Sequence, residues 1–410
     1  MRQTRFQPLA LLHVVVGAAM TLLVLLSRPT DGDPTVFMKI ADQSAKGLVA
    51  YRDYPIEYPP LGLVAIDLPR LLSGPSVLRY ELFFAALSVL LALGTGAAVL
   101  WLARRHWSSE TPANAVLLFT GLALAGAPLV YWRFDIFAAF LTVLGLVAYA
   151  YGRPTWSGLA LGFGVVSKLY PGALVPVFVL ARLFERHLRW ATLIVVGAAI
   201  ASLAVMAETF LAAGSGAFSF LAYQQDRGVE IESVGGGVAL LASVLGQAKA
   251  AISFGFGSYQ VSSPIIDSLG IPQLALNAVL VVSLLAALFV SFRQDARNGG
   301  TIRPATLVRY SLATLLVVIL VNKVLSPQYL IWLLPFAALL PSRQSALLLV
   351  IIVLTVLLYP LGFGALVNVQ APAVLALNVR NLLLVVYFAW VAWPQPAAES
   401  ERGYVRQPAE

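Results

Sequence analysis

Two short stretches each set a lysine at the end of an apolar run, just before a proline and aromatics: SKLYP at 167–171 and NKVLSPQYLIW at 322–332. Proline ends the preceding helix and opens the next, so the ammonium at such a break is aimed into whatever space the break leaves. A lone lysine at a helix end commonly snorkels to lipid headgroups. Two at equivalent breaks, Lys168 and Lys323, instead make a cationic clamp suited to phosphate, with Gln328, Tyr329 and Trp332 offering amide and aromatic groups that suit a sugar. A third stretch, YRDYPIEYPP at 51–60, combines Arg52, Asp53 and Glu57 with Pro55, Pro59 and Pro60, which stiffen the chain and hold the charges at fixed depths. Its plainer reading is an interfacial aromatic belt, but a belt needs neither two carboxylates nor three prolines. Other ionisable residues join these on one side of the apolar runs: Asp31, Asp33, Asp42, Arg133, Asp135, Arg227, Glu230 and Glu232. Individually some pair as interfacial salt bridges, Arg52 with Asp53 or Glu57 and Arg133 with Asp135. Their clustering at the ends of apolar helices, where charge is costly, marks a functional site.

The elements that position these groups are membrane helices. The 410 residues have a mean hydropathy of +0.84 and only 11% charged side chains, far from soluble usage. Runs such as LFFAALSVLLALGTGAAVLWLA are continuously apolar, which fits helices and not the alternating strands of a barrel. The expected fold is therefore an all-α polytopic membrane bundle. About twelve segments are expected, near 8–27, 77–103, 112–131, 134–152, 155–168, 171–184, 190–212, 272–292, 305–322, 329–341, 344–360 and 374–394. No small-residue cleavage site follows LLVLLS, so the first run is expected to be a span. Segments 60–72, 155–168, 171–184 and 329–341 are too short to cross ~30 Å upright and are expected to be half-depth or re-entrant helices around a cavity. The net charge of +8 resides mostly in short arginine-rich loops, which places those loops and both termini in the cytoplasm and argues against nucleic-acid binding. Residues 1–394 form one domain with external loops 28–76 and 213–271, followed by a disordered cytoplasmic tail at 395–410. With no cysteine and three dispersed histidines, thiolate chemistry, a Ser-His-Asp triad and a histidine metal cluster are not suggested.

The combination DGDPTVF, GLVAYRDYPIEYPPL, RFDIFAAFL, SGLALGFGVVSKLYPGALVP, IES and NKVLSPQYLIWLLP resembles glycosyltransferase family 87. These are the polyprenyl-phosphate-mannose-dependent, mannosyltransferase-like proteins of the GT-C superfamily. The resemblance runs from about residue 30 to residue 336. It implies a GT-C-like fold, a catalytic first external loop, and sugar transfer from a polyprenyl-phosphate carrier to a glycolipid or glycan acceptor without a nucleotide.

The chemistry follows from that donor. Departure of a phosphodiester leaving group yields a phosphomonoester with a second pKa of about 6, so cations matter more than a general acid. Lys168, Lys323, Arg52 and Arg227 are the expected phosphate contacts. The acceptor hydroxyl needs a carboxylate base, with Asp33 first and Asp53 or Glu57 next. An aspartate before Pro34 also makes a good helix N-cap, for the amphipathic run PTVFMKIADQSAKG with Val36, Phe37 and Ile40 on its apolar face. Asp135, Tyr170, Glu232, Gln328, Tyr329 and Trp332 are the expected sugar and acceptor contacts. The scheme is a single inverting displacement needing neither metal nor cofactor, although Asp33, Asp53, Glu230 and Glu232 could together form an oxygen-ligand metal site. A secondary transporter is the rival, since many spans with buried charge and broken helices also describe that class, and a membrane scaffold is a third reading. Against a transporter stand the two long loops, the one-sided charge and the lack of an internal repeat.

The expected site is extracytoplasmic, at a bacterial plasma membrane. Single cysteines introduced at positions 54 and 328 of this cysteine-free chain should accordingly react with an impermeant maleimide added outside intact cells. Labelling only after the cytoplasm is opened would reverse the topology.

Overall fold

The computed structural model describes residues 33–268 and 270–393. The expected span at 8–27, Asp31, the Asp33 side chain and the tail at 395–410 lie outside the described residues.

The chain runs through α1 (Asp33–Ala45), α2 (Gly62–Ser73), α3 (Val77–Arg104), α4 (Pro112–Ala125), α5 (Asp135–Ala150), α6 (Pro154–Val165), α7 (Leu174–Phe184) and α8 (Leu188–Ala213). It continues through α9 (Ser219–Asp226), α10 (Val234–Val244), a β-hairpin, α11 (Gly270–Gly299), α12 (Pro304–Val321), α13 (Ser342–Val356) and α14 (Ala371–Ala392). Local sequence sets the starts: Ser76 and Thr111 cap α3 and α4 by accepting from the backbone N–H three residues on. Proline opens α4, α6 and α12, where its missing N–H costs nothing. Six helices among the described residues are long and apolar enough to cross a membrane, and α4, α5 and α7 are shorter apolar helices.

The short segments are as short as their sequences require. α6 has 12 residues, about 18 Å, and ends at Val165, with Ser167-Lys168 just beyond it. The run resumes as a 3₁₀ turn, Tyr170–Ala173, before α7. The second break behaves alike: α12 stops at Val321, and Pro327–Leu333 forms another 3₁₀ segment. α6 is held against α8 by backbone proximity. A Cβ added at Gly158 would sit 2.1 Å from the Ile194 carbonyl oxygen, one at Gly162 2.4 Å from that of Ala198, and one at Gly197 2.4 Å from that of Thr155. With no hydrophobic drive between helices in lipid, such small-residue contact is what drives association.

The first loop folds onto the bundle. α1 turns Phe37, Met38 and Ala41 inward against Ala65, Ile66, Tyr80, Phe84 and Phe134, while Ile40 is half-buried and Val36 faces a cavity. Asp42 pairs with Arg70 across α1 and α2, and Tyr80 donates to the Ile66 carbonyl at 3.0 Å. The second loop departs from the all-helical expectation. AISFGFGSYQVSS alternates, and β1 (Ala251–Gly255) pairs antiparallel with β2 (Ser258–Ser262) around Phe256-Gly257. Both turn residues have positive φ, 51° and 69°, the twist a two-residue hairpin demands. Residues 228–231 join its far edge, with Val261 N–H donating to Val229 O and Ile231 N–H to Tyr259 O.

Gly158→Ala should lower stability by about 2 kcal/mol or more, because no rotamer relieves a methyl pressed on backbone. Gly121→Ala, with open space at the Cβ, is the control. Comparable thermal unfolding of the two variants in detergent would show that the seam does not hold α6.

Candidate active site

The two loops and the two breaks meet around one cavity of about 1000 Å³. Glu57 and Tyr58 come from the first loop, Lys168 and Tyr170 from the first break, and Arg227, Glu230 and Glu232 from the second loop. Ser326, Gln328, Tyr329 and Trp332 come from the second break, and Arg133 and Tyr359 complete the wall.

Lys168 is held from three directions. Its Nζ donates to Asp135 Oδ2 at 3.0 Å, with the Phe134 ring centroid 4.6 Å away and that of Tyr58 5.4 Å away. Asp135 opens α5, where the helix dipole favours a carboxylate, and is 1% exposed. Its Oδ1 accepts from Trp332 Nε1 at 2.8 Å. Trp332 stacks on Tyr170 and on Tyr329 with centroids 4.0 and 4.1 Å apart.

Opposite lies a buried carboxylate pair. Glu230 accepts from Ser326 Oγ at 3.1 Å, and its backbone N–H donates to the Lys323 carbonyl. No donor among the described residues reaches Glu232 Oε1. Burial, then the Glu230 charge, pushes the Glu232 carboxyl up to about 8, against the pull of Arg380 and Arg133. Burial raises Glu230 as well, offset by Arg227 and Ser326. Arg133 donates to the Tyr359 hydroxyl at 2.6 Å, and Arg227 to Ser258 Oγ at 3.1 Å. Arg380 of α14, fully buried, donates to the Glu232 backbone carbonyl at 2.9 Å.

A cavity of clustered cations and carboxylates at the broken ends of membrane helices is a site for an anionic substrate, and the sequence carries a family signature across it. The model of glycosyltransferase family 87 matches residues 57–322, most of the chain. The chain belongs to glycosyltransferase family 87. Among solved structures, ArnT from Cupriavidus metallidurans in the apo state is similar, with a TM-score of 0.50 and 15% identity over 95% of this chain and 77% of that one. At that identity the likeness carries the fold alone, a polytopic membrane helix bundle. No curated protein matches the sequence. This is thus a membrane glycosyltransferase, and the transporter and scaffold readings give way to it.

Within this family 87 chain the sequence candidates separate. Glu57, Lys168, Tyr170, Arg227, Glu232, Gln328, Tyr329 and Trp332 line the cavity, and Asp135 lies buried behind Lys168. Lys323 is exposed and donates to the Gln225 carbonyl at 2.7 Å, so the two lysines of the expected clamp do not meet. Arg52 and Asp53 pair with each other at the exposed tip of the first loop. There Asp53 also accepts from Val49 N–H, and the Arg52 bond, then that of Val49, holds its carboxyl down to about 2. Asp53 is thus not gathered with Glu230 and Glu232, and no group of three or more potential metal-ligating His, Asp or Glu side chains occurs among the described residues. Asp33 begins α1, whose Val36 and Phe37 line the cavity. Glu57 sits under the hairpin: a Cβ at Gly257 would lie 3.5 Å from its Oε2.

Sequence reasoning missed Arg380, although an arginine inside the apolar run ALNVRNLLLVV is itself a signal. It also passed over Tyr58 and Tyr359, which carry no charge to mark them.

The folded chain binds the Glu232 proton more tightly than the unfolded chain does. Stability from this group is therefore present below about 4.5 and declines as pH rises through about 8. Above about 8 the new charge also opposes an anionic substrate. Turnover should fall on that alkaline side, and Glu232→Gln should flatten the limb. A pH–rate profile unchanged by the substitution would remove Glu232 from the titration.

Proposed function

We propose that this protein transfers a sugar, mannose first among candidates, from a polyprenyl-phosphate carrier to an acceptor hydroxyl of a glycolipid or glycan on the outer face of the plasma membrane. The observation that carries the reading is the convergence of Lys168, Arg133 and Arg227 on one cavity also lined by Glu57. The acceptor oxygen attacks the anomeric carbon as the bond to the phosphate oxygen breaks. The bonding pair leaves on the phosphate, the hydroxyl proton passes to a carboxylate, and the configuration inverts. The leaving group gains charge as it departs, so preplaced cations bind the transition state better than the ground state. Glu57 is the first-loop carboxylate that lines the cavity, and Asp33, at the head of α1, is the alternative base. Tyr58 and Gln328 add hydroxyl and amide groups for the sugar.

The test is transfer from a synthetic prenyl-phosphate mannose by the full chain in proteoliposomes. Lys168→Met should cost more than about tenfold and Lys168→Arg should recover only part, since the guanidinium does not reproduce the ammonium's geometry. Lys323→Met should cost less than about threefold, its ammonium being committed to a carbonyl outside the cavity. Equal losses at both lysines would restore the two-lysine clamp, and no transfer by the unaltered chain would overturn the donor.

A further inference from the structure

Trp332 and Asp135 belong to the motifs expected to contact the sugar, yet neither offers it a ring face or a polar atom. Two rings centred within 4.1 Å of the indole and nearly parallel to it, at 10° and 24°, cannot share one face without overlapping. Tyr170 and Tyr329 must therefore cover opposite faces, and Trp332 meets the cavity by its edge alone. Asp135 is 1% exposed and spends one oxygen on Trp332 Nε1 and the other on Lys168 Nζ. The indole N–H, which only donates, fixes the carboxylate, and the carboxylate fixes the ammonium. Phe134 and Tyr58 flank that ammonium. With one N–H on Asp135 and aromatic rings at its sides, its remaining donors point to the cavity that Lys168 lines.

We propose that Trp332 and Asp135 are positioning residues: a relay through which the second helix break aims the Lys168 ammonium of the first break at the substrate. The relay spans the chain, since Trp332 lies 197 residues from Asp135 and Asp135 33 residues from Lys168. It is seated by rings from both breaks, Tyr170 from one and Tyr329 from the other. That the ammonium then holds the departing phosphate rests on the function proposed above; the relay itself does not.

The discriminating variant is Trp332→Phe, which keeps a ring in the stack and removes only the N–H. With the full chain in proteoliposomes and a short-chain prenyl-phosphate mannose, kcat should fall about tenfold while the donor KM moves less than about twofold. In a Lys168→Met background the same change should cost less than about twofold further, because its effect passes through the missing amine. A second readout uses no substrate: trace acylation of Lys168 by an amine-selective reagent, followed by mass spectrometry, should quicken at least about fivefold in Trp332→Phe and in Asp135→Asn. Unchanged acylation in both variants overturns the relay. So does a full, additive tenfold loss in the Lys168→Met background, which would make Trp332 a direct substrate contact. Quickened acylation in a chain that transfers no sugar from the prenyl-phosphate donor would leave the relay standing and remove the donor assignment alone.

Discussion

An ammonium at the buried end of a membrane helix needs a fixed counter-charge, and in this protein that is the Asp135 carboxylate. Removing either partner would strand the other in a medium that solvates it poorly. The pair therefore dictates its surroundings. α5 must begin at Asp135 so that the helix dipole supports it, α6 must end at Val165 so that Lys168, beyond the turn, can reach it, and Trp332 must be brought across from the second break. Broken backbone at that depth is tolerable only beside a cavity or inside protein, and both breaks border the same space. Close packing of α6 on α8 through Gly158, Gly162 and Gly197 then fixes the helix that carries the lysine.

Charge around the cavity is divided by element. The first break and the residues just before α5 bring Lys168 and Arg133, and the second loop brings Arg227 with the Glu230 and Glu232 carboxylates. Arg380 stands behind the second loop and holds the Glu232 main chain, so the carboxylates are backed by positive charge that does not itself line the cavity. An anion entering this space meets fixed cations while the proton on Glu232 limits the opposing charge. That is the arrangement expected where negative charge grows on a leaving group during reaction.

Much of this was legible in the sequence because it depends on local rules. Apolar run length marked the helices, proline with an aromatic marked both breaks, and one-sided charge marked the cavity. What local rules could not supply was the direction of individual side chains. SKLYP and NKVLSPQY look equivalent as strings, but Lys168 finds a carboxylate buried behind it whereas Lys323 finds a backbone carbonyl from the second loop. Asp53 has the same chemistry as Glu57, yet a tight turn through left-handed Tyr51, with φ at 66°, ties it to Val49 and Arg52. Arg380 stands out as a charge in an apolar run, but its partner lies 148 residues away, so the run alone names no site for it. The hairpin was hidden by its setting, an alternating polar run of a dozen or so residues inside a long loop.

That hairpin separates two kinds of constraint. Its attachment to residues 229–231 runs through main-chain bonds, which any non-proline side chain permits, whereas the Gly228 N–H is held by the Gln260 side chain. Phe254 and Phe256 are exposed, and Phe254 and Ser258 line the cavity. Exposed Phe254 can therefore be exchanged without touching the buried charges, whereas Ser258 holds the Arg227 guanidinium. Side chains facing the cavity from this loop can thus change at little cost to folding, so substrate preference can shift there while the charged centre stays fixed.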